Sequence, residues 1–380
     1  MDKLSPGTRW KWMGFLTVFT PLIILSFYSV VGGWSIEYLF KSLGFAFTDP
    51  AVSREGHSAI FGAFITSVRK PLILHTVFLA LNAVIVMAGV QKGIEKFTKI
   101  TTPVLFVLVV LIMVYSLTLP GAAAGIEYMI KPDFSKLTSS AMLSAMGQSF
   151  FSLSLGVGCI LTYASYLRRD ENLLSTGLCT AVFDLGFAII AGFAIMPAVF
   201  AAGIEPGAGP GLIFETLPFI FSTMGASAPM LSNIVAILFF TTILFAALTS
   251  SVSMLETGVA YLVDEKKMSR LKATSIIFAG CWILGVFCSL SFGPISDFHI
   301  LGSTVFDFCD HMTSDFLMTF GSLLFVLFVG WKMDRESVYD EFTNGGTLRG
   351  NGRIFGVVYF FIRYIAPVVI VTIFVTNLIL

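Results

Sequence analysis

A polar, glycine-containing stretch interrupts one of the long hydrophobic segments of this 380-residue chain. The segment runs from about Ala141 to Leu167, and its part from Gly147 to Gly158 reads GQSFFSLSLGVG. Inside a bilayer, backbone that leaves the helix must be satisfied by protein, water or a ligand. The stretch therefore predicts a helix that is broken near residues 154–158 and forms a binding site near the bilayer midplane. A small-residue face for helix packing is the alternative, and the stretch alone favours the two equally.

Carboxylates within apolar segments are a second set of candidate functional residues, because charge is costly inside a membrane. Asp184 lies deep in such a segment, and no basic residue of the neighbouring segments is placed to neutralise it, which favours cation binding. Glu256 lies nearer the end of its segment and is expected to reach interfacial water. Asp307, Asp310 and Asp315 cluster near the outer end of another segment, where they form either a gate or a solvated helix start.

Hydroxyl groups form a third set. Thr249, Ser250 and Ser251 follow one another in the middle of a segment. Sodium is a hard cation that prefers oxygen ligands, and hydroxyls beside a freed carbonyl would suit it. A polar contact between helices is the commoner outcome of such a cluster. Tyr28 and Ile24 lie one helical turn apart on another segment and therefore face the same way.

The composition is that of an integral membrane protein. Hydrophobic residues make up 56% of the chain, charged residues only 12%, and the mean hydropathy is +0.89, which excludes an ordinary soluble domain. A net charge of zero gives no argument for nucleic acid as a partner. The five cysteines contain no C-x-x-C pair, so neither a disulfide framework nor a zinc site is indicated. No nucleophile–base pair or metal cluster is evident, which makes an enzyme a weak hypothesis.

The hydrophobic pattern predicts an all-α protein with about nine transmembrane helices in a single domain, residues 1–380. A span of the bilayer core takes roughly 20 helical residues. The predicted spans are Trp12–Phe40, Leu72–Val90, Thr101–Leu119, Ala141–Leu167, Leu174–Ala202, Met230–Val263, Ala273–Phe292, Thr304–Trp331 and Ile354–Leu378.

The distribution of Lys and Arg predicts the orientation. Loops on the side of the N-terminus are richer in basic residues, so the N-terminus is expected in the cytoplasm and the C-terminus outside. Residues 41–71 and 203–228 are then extracellular. The second of these segments contains EPGAGPG, which forbids a continuous helix, followed by an apolar run over 212–221. We expect either a short helical hairpin or a surface loop there.

Several of these stretches, in this order, resemble the neurotransmitter:sodium symporter family, and in particular its bacterial branch. They are Gly89–Lys96, Gln148–Arg169, Ala191–Phe200, Glu205–Gly211 and Leu248–Ser251. The resemblance implies a five-plus-five inverted-repeat transporter fold. Trp12–Phe40 looks like the third span of the family and Ile354–Leu378 like the eleventh, so the first two helices are missing and the repeat is incomplete. The missing first helix is the other broken helix of the family.

The resemblance also implies a substrate site and an outer gate. Tyr28 would bind the carboxylate of the substrate, with Ile24 beside the substrate side chain, and Phe151 would join Tyr28 as the outer lid. Asp310 would be the acidic half of the gate, and its arginine partner would lie in the missing first helix. The pocket would be lined by Ser152, Ser154, Val157, Ser250 and Met254.

Two sodium sites follow from the same resemblance. Ser152 and Asp184 would belong to the first, where the carboxylate would replace the negative charge of chloride and make transport chloride-independent. The Ala246 carbonyl and the Thr249 and Ser250 hydroxyls would bind the second sodium. No cofactor other than sodium ions is implied.

The implied function is sodium-coupled symport of an amino acid across the bacterial cytoplasmic membrane by alternating access. The apolar pocket residues Ile24, Val157 and Met254 favour a hydrophobic amino acid. The expected partners are this substrate, sodium, the lipid bilayer and a separate N-terminal two-helix segment. The alternative is a truncated, non-transporting fragment or one half of a split transporter.

Overall fold

The computed structural model describes residues 7–168, 170–204, 209–226 and 228–379. Their regular structure is helical apart from one isolated bridge between Ile300 and Ser303. The predicted all-α class is therefore confirmed. The α-helices are α1 Lys11–Leu43, α2 Arg54–Thr66, α3 Arg69–Met87, α4 Lys96–Leu117, α5 Ala122–Ile130, α6 Ser139–Ser152, α7 Gly158–Ala164, α8 Leu173–Ala201, α9 Leu217–Gly225, α10 Pro229–Asp264, α11 Arg270–Leu290, α12 Val305–His311, α13 Met318–Leu327, α14 Arg335–Thr343, α15 Arg349–Phe360 and α16 Ala366–Ile379.

Widened π-helical turns extend or join several of these helices. They cover Val90–Glu95, Leu212–Thr216, Met312–Leu317, Phe328–Lys332 and Phe361–Ile365, and a short 3₁₀ turn covers Phe134–Lys136.

Eight continuous helices in the described residues are long and apolar enough to cross a membrane. They are Trp12–Leu43, Arg69–Met87, Val90–Leu117, Leu173–Ala201, Pro229–Asp264, Arg270–Leu290, Val305–Lys332 and Arg349–Thr376. The ninth predicted span, Ala141–Leu167, forms the pair α6 and α7 with an unwound connection between them.

Helices α1, α3, α10 and α11 pack together as the centre of the molecule. Helix α1 contributes Leu25, Val30 and Trp34 to the buried core, each no more than 2% exposed. Gly33 lets α1 approach α3 closely, because a Cβ atom there would lie 2.8 Å from the backbone nitrogen of His75. The polar residues of α10 are therefore carried by a helix of this tightly packed centre.

The predicted outer segments are partly helical. Residues 41–71 contain α2, and residues 203–228 contain the helix Leu212–Gly225, while residues 205–208 and Ser227 lie outside the described part. Phe214 stacks on Phe61 of α2 at 5.5 Å, and the Ser58 hydroxyl donates to Glu215 at 2.5 Å. The second segment is therefore docked against α2 rather than forming a loose surface loop.

Candidate functional site

The connection between α6 and α7 is an unwound stretch that requires glycine. Ser154 and Gly156 have φ angles of 51° and 79°, and Val157 is extended at φ −98° and ψ 152°. A Cβ atom on Gly156 would lie 1.9 Å from the Met318 carbonyl oxygen of α13. The left-handed backbone and the close approach both exclude a larger residue. Several backbone groups here have left the regular helical pattern, which is the arrangement expected of a ligand-binding break.

Ser152, at the end of α6, meets Asp184 of α8. Its hydroxyl donates to the carboxylate at 2.7 Å from Oδ1 and 2.9 Å from Oδ2. Asp184 is half-buried, and it forms no salt bridge within the described residues. A carboxylate and a hydroxyl thus meet at the end of α6, directly before the unwound stretch, and oxygen atoms of these kinds are the ligands that a hard cation prefers.

The second predicted cation set lies on α10. The Thr249 hydroxyl donates to the Ala246 carbonyl at 2.9 Å, so these two oxygens are adjacent. Ser250 is exposed, and its side chain interacts with the Tyr28 hydroxyl. A crevice of about 700 Å³ is lined by both Thr249 and Asp184, so one open space reaches both predicted cation sets.

The predicted substrate residues lie on two sides of the break. Ile24 and Val157 belong to one buried apolar cluster, with Tyr28 and Met254 packed against it. Ser154 and Val157 also line an apolar cavity of about 430 Å³ between the break and helices α13 and α16. Phe151 is 38% exposed, and the rings of the described residues show no contact between it and Tyr28.

The three carboxylates of α12 and the π-helical turn that follows it have different local partners. The Thr304 hydroxyl donates to Asp307 at 2.8 Å, the Ser314 hydroxyl donates to Asp310 at 3.1 Å, and His311 lies 3.1 Å from Asp315. Asp310 forms no salt bridge and caps no helix in the part of the chain that the structure describes, although His311 lies next to it in the sequence. It remains the candidate for the acidic half of a gate.

The prediction that Glu256 reaches interfacial water is wrong. Glu256 is fully buried and pairs with Arg270 through two hydrogen bonds, one of them 3.2 Å between Nη1 and Oε1. The Tyr166 hydroxyl donates to the same carboxylate at 2.7 Å, and Arg270 Nε donates to the Val86 carbonyl at 2.7 Å. The charge of a buried carboxylate is tolerated here because it is paired and fully hydrogen-bonded.

Sequence reasoning missed Arg270 and Tyr166. The signal was available in the short polar turn after α10, since residues 265–269 are too few to carry the chain far from the end of that helix. Arg270 at the start of α11 must therefore return beside the last turns of α10, where Glu256 lies.

Comparison with known proteins identifies the family of this chain. The sequence profile described as "SNF: Sodium:neurotransmitter symporter family" matches residues 63–380. The sodium-dependent transporter YhdH of Bacillus subtilis is 37% identical over 375 residues, which cover 98% of this chain and 80% of YhdH. A sodium-dependent transporter of Haemophilus influenzae is 32% identical over 374 residues, covering 97% and 79% of the two chains.

A solved structure agrees with these relatives. The crystal structure of MhsT in complex with L-phenylalanine superimposes with a TM-score of 0.85 and 36% identity, covering 99% of this chain and 83% of MhsT. The matched proteins are transporters and not enzymes. The chain is a multi-pass membrane protein, and its bacterial relatives imply a cell membrane. It belongs to the sodium:neurotransmitter symporter family.

Proposed function

We propose that this protein uses the sodium gradient to take up a hydrophobic amino acid and that it does so without chloride. Its family supports sodium-coupled symport in general. The contact between Ser152 at the end of α6 and Asp184 of α8 carries the finer proposal, because it brings a carboxylate beside the residue from which the unwound stretch begins. Sodium bound there would be coordinated by oxygen atoms only, as a hard cation prefers.

Chloride independence follows from the charge of Asp184. A sodium ion held in a medium of low dielectric constant is stabilised by a nearby negative charge. Asp184 supplies that charge from the protein itself, since no salt bridge in the described residues already neutralises it. A separate anion is then unnecessary for charge balance.

The proposed substrate is chosen by an apolar surface with one polar group. Ile24 and Val157 are buried, and Met254 packs against the same cluster, which favours an apolar side chain. The Tyr28 hydroxyl, which already interacts with Ser250, would receive the substrate carboxylate. MhsT, a relative of known structure, was solved with L-phenylalanine, and this makes L-phenylalanine the first substrate to test.

Coupling follows from thermodynamic linkage. The proposed sodium and substrate sites share the unwound stretch, so each ligand favours the conformation that the other binds. Reciprocity then requires that sodium raise the affinity for the amino acid by the same factor as the amino acid raises the affinity for sodium.

The proposed site also needs a protein cover. Ser152 and Ser250 are exposed, and only 6% of the most apolar window of α8 is buried. Polar groups facing lipid are unfavourable. We therefore include in the proposal a two-helix segment, in the same or a separate chain, that packs over this face. The distribution of Lys and Arg further supports a cytoplasmic N-terminus and an external C-terminus.

Uptake into proteoliposomes tests the proposal. Labelled L-phenylalanine would be supplied under an inward sodium gradient. In one control potassium would replace sodium, and in another gluconate would replace chloride. The chain would be compared alone and co-expressed with the N-terminal two-helix segment of YhdH. We expect the co-expressed preparation to take up L-phenylalanine only when sodium is present, and to the same extent when gluconate replaces chloride. Sodium-independent uptake, or a chloride requirement, would contradict the proposal.

Two variants with controls locate the cation sites. Asp184→Asn should abolish uptake in gluconate and recover part of it in chloride, whereas Asp170→Asn in the exposed loop before α8 should have no effect. Thr249→Val should raise the sodium concentration for half-maximal uptake about tenfold, the effect of losing roughly 1.4 kcal/mol of binding free energy. Thr242→Val is the matched control, since Thr242 lies on the same helix and, within the described residues, its hydroxyl donates to the Leu238 carbonyl alone.

A further inference from the structure

The beginning of α8 is held by a pair of asparagines. The side-chain oxygen of Asn172 accepts from the backbone nitrogen of Ser175 at 3.2 Å and thereby caps the helix. The same oxygen accepts from Asn351 Nδ2 at 3.0 Å, and that nitrogen also donates to the Phe342 carbonyl at 2.9 Å. Asn351 is only 6% exposed. A buried amide with both of its hydrogens used is a specific connection rather than a chance surface contact.

A second hydrogen bond joins the same two parts of the chain. Asn344 ends α14 in the left-handed conformation at φ 48°, and its side chain donates to the Glu171 carbonyl at 3.3 Å. The hairpin of α14 and α15 therefore contacts both residues that precede α8. We call this set of contacts, made by Asn344 and Asn351 to Glu171 and Asn172, the asparagine clamp.

Helix α8 has an additional attachment at its beginning, where the asparagine clamp holds it to α14 and α15. It packs mainly against α4 and α5. Asp184 lies twelve residues beyond Asn172, or about 18 Å along the helix axis at 1.5 Å per residue. Over this distance a tilt of about 5° at the clamp moves the Asp184 carboxylate by roughly 1.6 Å, which is enough to break its hydrogen bonds with Ser152.

We propose that Asn351 is a positioning residue for the cation site, which it serves by fixing the start of α8 so that Asp184 meets the unwound stretch. The inference rests on the proposed function, in which Asp184 is a sodium ligand. It adds that the affinity for sodium depends on the hairpin of α14 and α15, although this hairpin contains none of the proposed ligands.

The chain has a native reporter of this effect. Cys179 lies on α8 between the clamp and Asp184 and is exposed, whereas Cys159, Cys281, Cys288 and Cys309 are buried. Cys179 also lines the crevice that reaches Asp184 and Thr249. The rate at which a maleimide modifies Cys179 thus depends on how α8 lies against its neighbours.

The experiment uses the full chain, co-expressed with the N-terminal two-helix segment of YhdH, in lipid nanodiscs. Sodium-dependent thermal stabilisation would give the sodium concentration for half-saturation, and maleimide modification of Cys179 would be timed in sodium and in potassium. Asn351→Ala should raise the half-saturating concentration about tenfold, as expected for the loss of a buried hydrogen bond, and reduce the sodium dependence of Cys179 modification. Asn172→Asp is the matched control, because a carboxylate still accepts from Ser175 and Asn351, and it should stay within about twofold of the parent.

Asn344→Gly is the second variant, for use if Asn351→Ala fails to fold. Glycine suits the left-handed conformation of this position, so the substitution removes only the side-chain hydrogen bond to the Glu171 carbonyl. We expect a smaller change in the same direction. Lower thermal stability of either variant with unchanged half-saturation and unchanged Cys179 modification would overturn the inference, since the clamp would then be merely structural. A parent protein without any sodium-dependent stabilisation would instead refute the proposed function, and Cys179 modification would still report whether the clamp positions α8.

Discussion

The buried ion pair between Glu256 and Arg270 allows one prediction to be worked through from the structure. Glu256→Gln keeps the size of the side chain and the contact with Tyr166 but removes the negative charge. The Arg270 guanidinium then stays beside a neutral group. Glu256 is fully buried, whereas the Arg270 side chain is 25% exposed. In the variant the guanidinium of Arg270 is therefore partly solvated.

The expected cost lies between two limits. Removing one partner of a buried pair costs about 3–5 kcal/mol, because the other charge is left buried and unpaired. Partial exposure of Arg270 and its retained bond to the Val86 carbonyl reduce that penalty. We expect Glu256→Gln to lower the free energy of unfolding by roughly 2–3 kcal/mol. Arg270→Met should cost more, because it leaves the carboxylate without a cation in a place that solvent does not reach.

Denaturant unfolding in mixed micelles, followed by tryptophan fluorescence, would measure these differences. The double variant Glu256→Leu with Arg270→Met should recover much of the loss, since a well-packed apolar pair can replace a buried ion pair at little cost. The double-mutant cycle, closed by the single variants Glu256→Leu and Arg270→Met, isolates the interaction between the two side chains. The control is Glu95→Gln, which breaks an exposed pair with Lys99 at 2.7 Å and should cost less than about 1 kcal/mol.

Two results would refute the reasoning. The first is a cost for Glu256→Gln no larger than that for Glu95→Gln, which would mean that solvent reaches the Arg270 site. The second is strict additivity of the two single variants, which would mean that the charges do not interact in the folded protein.

Two further predictions concern the helix break and the outer surface. Gly156→Ala should destabilise the protein by roughly 3 kcal/mol, because the added methyl group meets α13 backbone in a left-handed conformation, whereas Gly280→Ala, with open space at the same position, should change thermal stability little. Burial and the charge of Lys41 hold the pKa of His57 below its usual value, so below pH about 6.5 the unfolded chain binds more protons at this residue than the folded chain. The free energy of unfolding should therefore fall as the pH drops from about 8 to 5, and it should fall less in His57→Gln. Equal pH dependence of the two proteins would contradict this prediction.

Hydropathy predicted most of the architecture because the bilayer imposes length and apolarity on every span. The break in α6–α7 was also predictable, since a left-handed backbone in close contact with a neighbouring helix favours glycine, as found at Gly156. The placement of Ser152 and Asp184 on neighbouring helices came from the resemblance to a family. Nothing in the pattern of either segment specifies the 2.7 Å contact between them.

The contacts that the sequence did not predict are those between polar residues of distant segments. Glu256 and Arg270 each look like interfacial residues when taken alone. Asn172 and Asn351 are 179 positions apart and carry no charge, and asparagine is common in helix caps and loops. Such pairs depend on tertiary geometry, which local composition and periodicity do not encode.

Helix α10 connects the proposed cation site to the ion pair. Ser250 and Glu256 are six residues apart on this continuous helix, about 9 Å along its axis. The chain that follows the break bonds to the same stretch twice, through Tyr163 to Ser253 at 2.7 Å and through Tyr166 to Glu256 at 2.7 Å. Movement of this part of the broken helix away from α10 must break both hydrogen bonds and leave the Glu256 carboxylate with one partner fewer. Unpaired polar groups are costly in a buried site. The two hydrogen bonds therefore oppose separation of the broken helix from α10 unless other interactions compensate for their loss.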